Sequence, residues 1–181
     1  MKDVDCETAI QTMGWAELRD MWDKIQTGSA TGWDSGKAFE YLVPRAFQLD
    51  GARIRWPYRI SLHEEIVEQI DGVVEAAGPH CLLESKDWSK PISIDPIAIL
   101  RNQLLRRPAS TIGMVFSRSG YAEAALLLAG YLGGQTILLW HPGEITLALT
   151  KERIVPLLAA KYRACVESGI HDANTEYMGV L

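Results

Sequence analysis

Nowhere does this 181-residue chain hold the ~20 uninterrupted apolar residues that a bilayer span needs, so a soluble protein is expected. The nearest approach is residues 124–143, which carry no Asp, Glu, Lys or Arg. Gly130, Gly133, Gly134, Gln135, Thr136 and the His141-Pro142 pair break that stretch into a helix, a turn and a strand. Cysteine is scarce as well. Cys6, Cys81 and Cys165 are odd in number and none forms a CxxC pair, which excludes a disulfide framework and a cysteine zinc site and predicts reduced thiols in the cytoplasm. The opening MKDVDCET lacks the basic-then-apolar order of a signal peptide. Excess positive charge is missing too: 18 Lys+Arg against 23 Asp+Glu leave a net charge of -5. A polycation is therefore excluded, and any polyanion must meet a local basic surface. No internal repeat and no low-complexity tract occurs. The glycines at 130, 133 and 134 follow a helical pattern instead of opening one, so they form no phosphate-binding loop. The four histidines have no ligand spacing.

What is present suits one folded domain. Hydrophobic residues make up 48% and charged residues 23%, enough apolar surface for a sizeable core. Residues 5–26 carry Ile10, Met13, Leu18, Met21, Trp22 and Ile25 at helical spacing. Residues 27–35 read as a loop, and Ser35 is placed to cap a second helix that bears Phe39, Leu42, Val43 and Phe47. Pro44 should kink or shorten that helix. From Ala52 onward the period changes to two. Ile54, Trp56 and Tyr58 alternate with arginines, residues 66–74 form a second strand, and residues 81–87 form a third after the turn at Ala77-Gly78-Pro79. An antiparallel meander is expected from these three.

Asp95-Pro96 opens a helix that ends before Pro108. A strand at 111–117, a helix at 120–131 with Ser119 as its cap, and a strand at 135–140 imply a parallel crossover. A helix over 151–167 and a loose tail complete the chain. The fold class predicted is α/β, one mixed sheet with helices on both faces. By segment, 1–30 is an N-terminal helix and linker, 31–150 the core, and 151–181 a C-terminal helix and tail.

Chemistry is concentrated at Asp71 and Glu84-Ser85-Lys86. Residues i and i+2 of a strand share a face, so Glu84 and Lys86 project together. Asp71 lies thirteen positions before Glu84, a spacing that suits neighbouring strands joined by the turn at Gly78-Pro79. Two converging carboxylates repel one another unless a cation sits between them, and hard oxygen ligands suit Mg2+ or Mn2+. Glu-x-Lys alone is common on solvated strand faces. Here apolar Val73-Val74 and Cys81-Leu82-Leu83 surround the charges, and Glu40 adds a third acid on the preceding helix. Lys86, beside two carboxylates, keeps its proton at pH 7 and acts as a cation, not a base.

The helix GKAFEYLVPRAF, the strands EQIDGVV and CLLESKDW, and the later GMVFSRSGYAEAA and TILLW resemble the PD-(D/E)xK nuclease superfamily, in particular its Mrr-like restriction endonuclease branch. The resemblance spans roughly residues 36–150. It implies a restriction-endonuclease-like three-layer core and a Mg2+-dependent endodeoxyribonuclease acting in restriction, defence or DNA repair. Asp71, Glu84 and the Ser85 carbonyl then resemble the metal ligands, Lys86 the residue that orients the attacking water, and Glu40 the supporting helix acid. Products with a 3′-hydroxyl and a 5′-phosphate are implied. Two departures stand out: no proline precedes Asp71, and Glu84 stands where many Mrr-like members carry Gln.

DNA is the expected partner. Arg53, Arg55 and Arg59 alternate along one strand, Lys90 follows the acid–lysine motif, and Arg101, Arg106, Arg107 and Arg118 come after it. As a set they form a candidate phosphate-contacting surface on an acidic protein. Trp88 is placed to stack on a base or to fill the core. The rival to catalysis is a DNA-binding or assembly module with the same fold. RNA as substrate, and a homodimer or partner protein supplying specificity, stay open at this level.

Overall fold

A five-stranded sheet separates two apolar cores in the computed structural model, which describes residues 3–34, 36–76, 78–131 and 134–180. In spatial order the strands are β1 (Arg53–Arg55), β4 (Gly72–Glu75), β5 (His80–Lys86), β6 (Ile112–Ser117) and β7 (Ile137–Trp140). The pairs β1/β4 and β4/β5 are antiparallel, while β5/β6 and β6/β7 are parallel. Parallel neighbours need a crossover, and α4 (Ile94–Leu104) and α5 (Glu123–Tyr131) supply the two. Their Ile97, Leu100, Leu104, Ala125 and Ala129 pack with Leu82, Val115, Ile137 and Leu139 in one core. Gly113 permits that approach, because a Cβ there would stand 2.8 Å from Leu100 Cδ2.

The other core holds α1 (Asp3–Thr12), α2 (Trp15–Gln26), α3 (Lys37–Leu49), α6 (Pro142–Lys151) and α7 (Val155–Ser168). Its centre is aromatic: Phe116 stacks on Trp140 with centroids 4.8 Å apart, and Phe47 meets both edge-on. Every residue of β6 and β7 is buried, the signature of parallel strands covered on both faces. The fold is therefore a three-layer α/β sandwich around a mixed sheet, and described residues of the segments 1–30 and 151–181 both contribute to this aromatic core.

Several elements depart from the sequence reading. The helix over residues 5–26 is two helices, because Gly14 is extended and its N–H donates to the Glu17 carboxylate at 3.0 Å, starting α2 afresh. The proposed cap Ser35 lies outside the described residues. α3 runs through Pro44 for 13 residues, its buried Phe39, Leu42, Val43, Ala46 and Phe47 outweighing the ~3 kcal/mol that an internal proline costs. The strand read through Trp56 and Tyr58 breaks at Pro57, which has no N–H to give a ladder. The strand over 66–74 breaks at Asp71. The expected antiparallel meander is present as β1, β4 and β5, and beyond the two breaks β2 (Tyr58–Leu62) and β3 (Glu65–Ile70) form a separate two-stranded ribbon.

Farther on, α4 begins at Ile94 with Ser93 preceding it, so Asp95 is a first-turn acid and not the cap. α5 begins at Glu123, and Ser119 caps nothing there: its hydroxyl donates to Lys90 O at 2.5 Å. α6 was not foreseen, and Glu152, in the left-handed region, separates it from α7. The tail is pinned, not loose. Leu139 N donates to His171 O at 3.0 Å, and Thr175 is buried with its N–H and hydroxyl on the Glu144 carboxylate at 2.9 and 2.8 Å.

Candidate active site

The break at Asp71 is what builds the site. β3 ends at Ile70 and β4 begins at Gly72, so Asp71 sits where the chain passes from the ribbon into the main sheet. β4 and β5 pair with Val73 opposite Leu82 and Gly72 opposite Leu83. Asp71 lies one residue beyond the last pair of that register, at the end where Glu84 follows Leu83, and Glu84 stands on the face opposite to that of Leu83. Lys86, two residues past Glu84, shares it too, and its ammonium forms an ion pair with the Glu84 carboxylate.

Ser85 N donates to Asp71 Oδ2 at 2.6 Å, which fixes the carboxylate on the neighbouring strand. In a strand the N–H and C=O of one residue point to the same side, so the Ser85 carbonyl lies on that side too. The Ser85 hydroxyl is buried with no hydrogen-bond partner among the described residues. Glu40, in the first turn of α3, pairs with Lys37 Nζ at 2.6 Å.

Charge ties these groups together. Burial, reinforced by the Glu84 and then the Glu40 carboxylate, holds the Asp71 carboxyl well above the usual aspartate range; the Ser85 N–H and Lys86 oppose this only in part. Burial works against the Lys86 ammonium, but Glu84, Asp71 and Glu40 outweigh it and raise its pKa above the ordinary lysine value. Lys86 is therefore a fixed cation at neutral pH, inside a cluster of three acids. Among the described residues no group of three His, Cys, Asp or Glu makes a ready metal cage. The donor set on offer is two carboxylates and a backbone carbonyl. These are hard oxygens, and they fit an ion such as Mg2+ or Mn2+, which completes its shell with water and substrate phosphate.

The basic residues named from the sequence separate into groups. Arg118 faces inward: its Nε is 2.7 Å from Asp87 Oδ1, and Nη1 donates to Ile25 O at 2.8 Å. Arg106 and Arg107 clamp the buried Glu68 of β3. Arg59, beyond the break at Pro57, belongs to the ribbon and not to the strand of Arg53 and Arg55. Arg53 is open to solvent and 3.3 Å from Glu75, and the Arg55 guanidinium lies 5.0 Å from the Tyr58 ring centroid. Arg101 is exposed on α4. Lys90 and Trp88 are exposed and line a hollow of about 380 Å3 just beyond Lys86. Sequence reasoning passed over Lys37, although its position three residues before Glu40 on one helix is the ordinary signal of such a pair.

No protein-family model matches the chain, and no curated protein matches it. Among solved structures it is similar to the MspJI restriction endonuclease in complex with a 27-mer oligonucleotide, with a TM-score of 0.39 and 17% identity over 96% of this chain. That match covers 37% of the endonuclease chain, so the present chain spans little more than a third of its length. No helix among the described residues is long and apolar enough to cross a membrane. Fold and site together define an α/β protein with an acid–lysine cluster where two antiparallel strands of its mixed sheet diverge.

Proposed function

We propose that the protein is a metal-dependent endodeoxyribonuclease of the PD-(D/E)xK type, with a restriction-endonuclease-like core. The observation that carries this reading is the convergence of Asp71 and Glu84 from adjacent strands, with Lys86 beside them and Ser85 N holding Asp71 in place. The motif order in the sequence supports it independently.

Asp71, Glu84 and the Ser85 carbonyl would hold Mg2+ or Mn2+, which when bound neutralises phosphate charge and lowers the pKa of a coordinated water. Glu40 stands behind them as a supporting acid. Lys86 keeps its proton, so it donates hydrogen bonds: to the attacking water, which it orients, and to the phosphate oxygens, whose growing charge it stabilises. Asp71 is held beside Glu84 by the Ser85 N–H. In-line attack on the phosphorus breaks the bond to the 3′ oxygen, leaving a 3′-hydroxyl and a 5′-phosphate.

The test is supercoiled plasmid with Mg2+ or Mn2+, incubated with the native chain, Asp71→Ala and Lys86→Ala. The native chain should nick or linearise it, and each variant should lose about 100-fold or more in rate. Equal cleavage by all three would remove this site from the chemistry. Salt-dependent DNA binding that ignores chelator, with no nicking, would select the non-catalytic module instead.

A further inference from the structure

Lys37 is a second lysine at the site, and its place in α3 is an unfavourable one. It is the first residue of the helix, where the positive end of the helix dipole disfavours a cation. It also precedes its acid by three residues, whereas an acid placed before its lysine is the order that stabilises a helix. The pair is nevertheless close and sheltered: Nζ lies 2.6 Å from Glu40 Oε2, and the two side chains are only 22% and 28% exposed. Lys24 and Asp20 on α2, an ordinary surface pair in the favoured order, are 53% and 66% exposed. Helix stability therefore does not account for Lys37.

Packing directs the pair at the acids. Glu40 is one turn before Pro44 on the same face of α3. A Cβ on Gly72, the residue after Asp71, would stand 3.9 Å from Pro44 Cγ, so α3 packs directly over the start of β4. The Glu40 charge accordingly acts on both Asp71 and Lys86. Strand alternation turns Ser85 away from Glu84 and Lys86, to the side of Cys81 and Leu83, which pack in the core that holds α3. The Ser85 hydroxyl is buried there and unpartnered among the described residues.

Oxygen donors are thus to spare on the α3 side of the site. Mg2+ and Mn2+ need only one or two carboxylates and keep water in their other positions, so Glu40 beside Asp71 would suffice for a second ion. Lys37 stands in its way. One divalent ion and Lys86 already balance the three ionised carboxylates, so Lys37 leaves the occupied cluster positive, and that charge repels another cation. We infer that Lys37 is a positioning residue that holds Glu40 out of the ion's shell and limits the site to one divalent ion. The inference rests on the metal site of the proposed function, but it concerns ion count and not cleavage.

The test is calorimetric titration of Mn2+ into the full chain at pH 7, with the electron paramagnetic resonance spectrum of the loaded protein beside it. The native chain should bind one ion and give the six-line signal of isolated Mn2+. Lys37→Met and the milder Lys37→Gln should each bind two, and coupling across the ~4 Å that separates paired ions should broaden the six lines away. Lys37→Arg keeps a cation on Glu40 and should bind one. Lys37→Met/Glu40→Gln should return to one, because the second ion needs the Glu40 carboxylate. Lys24→Met, which breaks the surface pair on α2, is the control and should bind one, and matched thermal melts show that each variant is folded. Two ions in the native chain, a single ion in both Lys37→Met and Lys37→Gln, or a second ion that survives Glu40→Gln would overturn the inference and leave the nuclease reading standing. A native chain that binds no ion would overturn both. A second ion gained as expected by a chain whose native form never cuts DNA would sink the nuclease reading alone.

Discussion

The backbone N–H of Ser85 donates to the Asp71 carboxylate at 2.6 Å, across the point where β4 and β5 begin to part. Through that bond a strand-end aspartate is held beside Glu84 while burial and two neighbouring acids oppose its ionisation. The protein thus carries an electrostatic penalty at this spot, and what relieves it is open to measurement.

The first prediction concerns stability. Asp71 in the fold has a pKa raised above its unfolded value of ~3.9, so its contribution is favourable below that value and is lost as pH rises through the folded one. Asp71→Asn, permanently neutral, should therefore melt higher than the native chain at pH 7 without divalent ions. The expected gain is on the order of 1 kcal/mol, or about 2–4 °C, and it should vanish toward pH 3. A lower melting temperature for the variant at pH 7 would show that the charged carboxylate stabilises the fold.

Glu68 provides the opposite sign. Burial disfavours its charge, but Arg107 and Arg106 more than offset this and hold its carboxyl below the usual glutamate range. Stability from this clamp is present above the unfolded pKa of ~4.3 and lost as pH falls through the folded one. Glu68→Gln should cost about 1–3 kcal/mol at pH 7, read by urea denaturation, and the gap to the native chain should close in acid. A gap that does not change with pH would contradict this account of the link between the ribbon and the turn that follows α4.

The C-terminal segment is locked by a buried pair. Lys161 Nζ lies 2.9 Å from Glu144 Oε1, donates to Ala173 O and sits 5.5 Å from the Trp140 ring centroid. Burial pulls the Lys161 amine below the ordinary lysine value, and Glu144 opposes that. Lys161→Met leaves Glu144 buried without its cation and should cost about 3–5 kcal/mol in urea denaturation. It should also raise amide exchange over residues 169–180. A loss under 1 kcal/mol would mean that the tail is held by packing alone.

The layers were legible in the sequence because they follow from period: buried β6 and β7 read as apolar runs, and α2 and α3 showed their stripes. What escaped were breaks made by single residues within continuous patterns. Gly14, Pro57 and Asp71 each stand in a stretch whose periodicity runs on past them, so periodicity alone joined what the chain divides. Pro44 erred the other way, its rule overridden by the packing of α3. The tail was misread because its anchors, Glu144 and Lys161, lie far away in sequence and look like ordinary surface charges. In the site, Glu84 and Lys86 were readable from strand alternation, and Asp71 from its spacing to them. The inward turn of Arg118 and the clamp of Arg106 and Arg107 on Glu68 were not, since nothing local marks their partners.

The most direct measurement is calorimetric titration of Mn2+ into the native chain, Asp71→Asn and Glu84→Gln at pH 7. The account predicts that the native chain takes up an ion at a site each variant loses, with affinity weakened at least tenfold in both. Native and variant chains binding Mn2+ with the same affinity and stoichiometry, or a native chain that binds none, would contradict it.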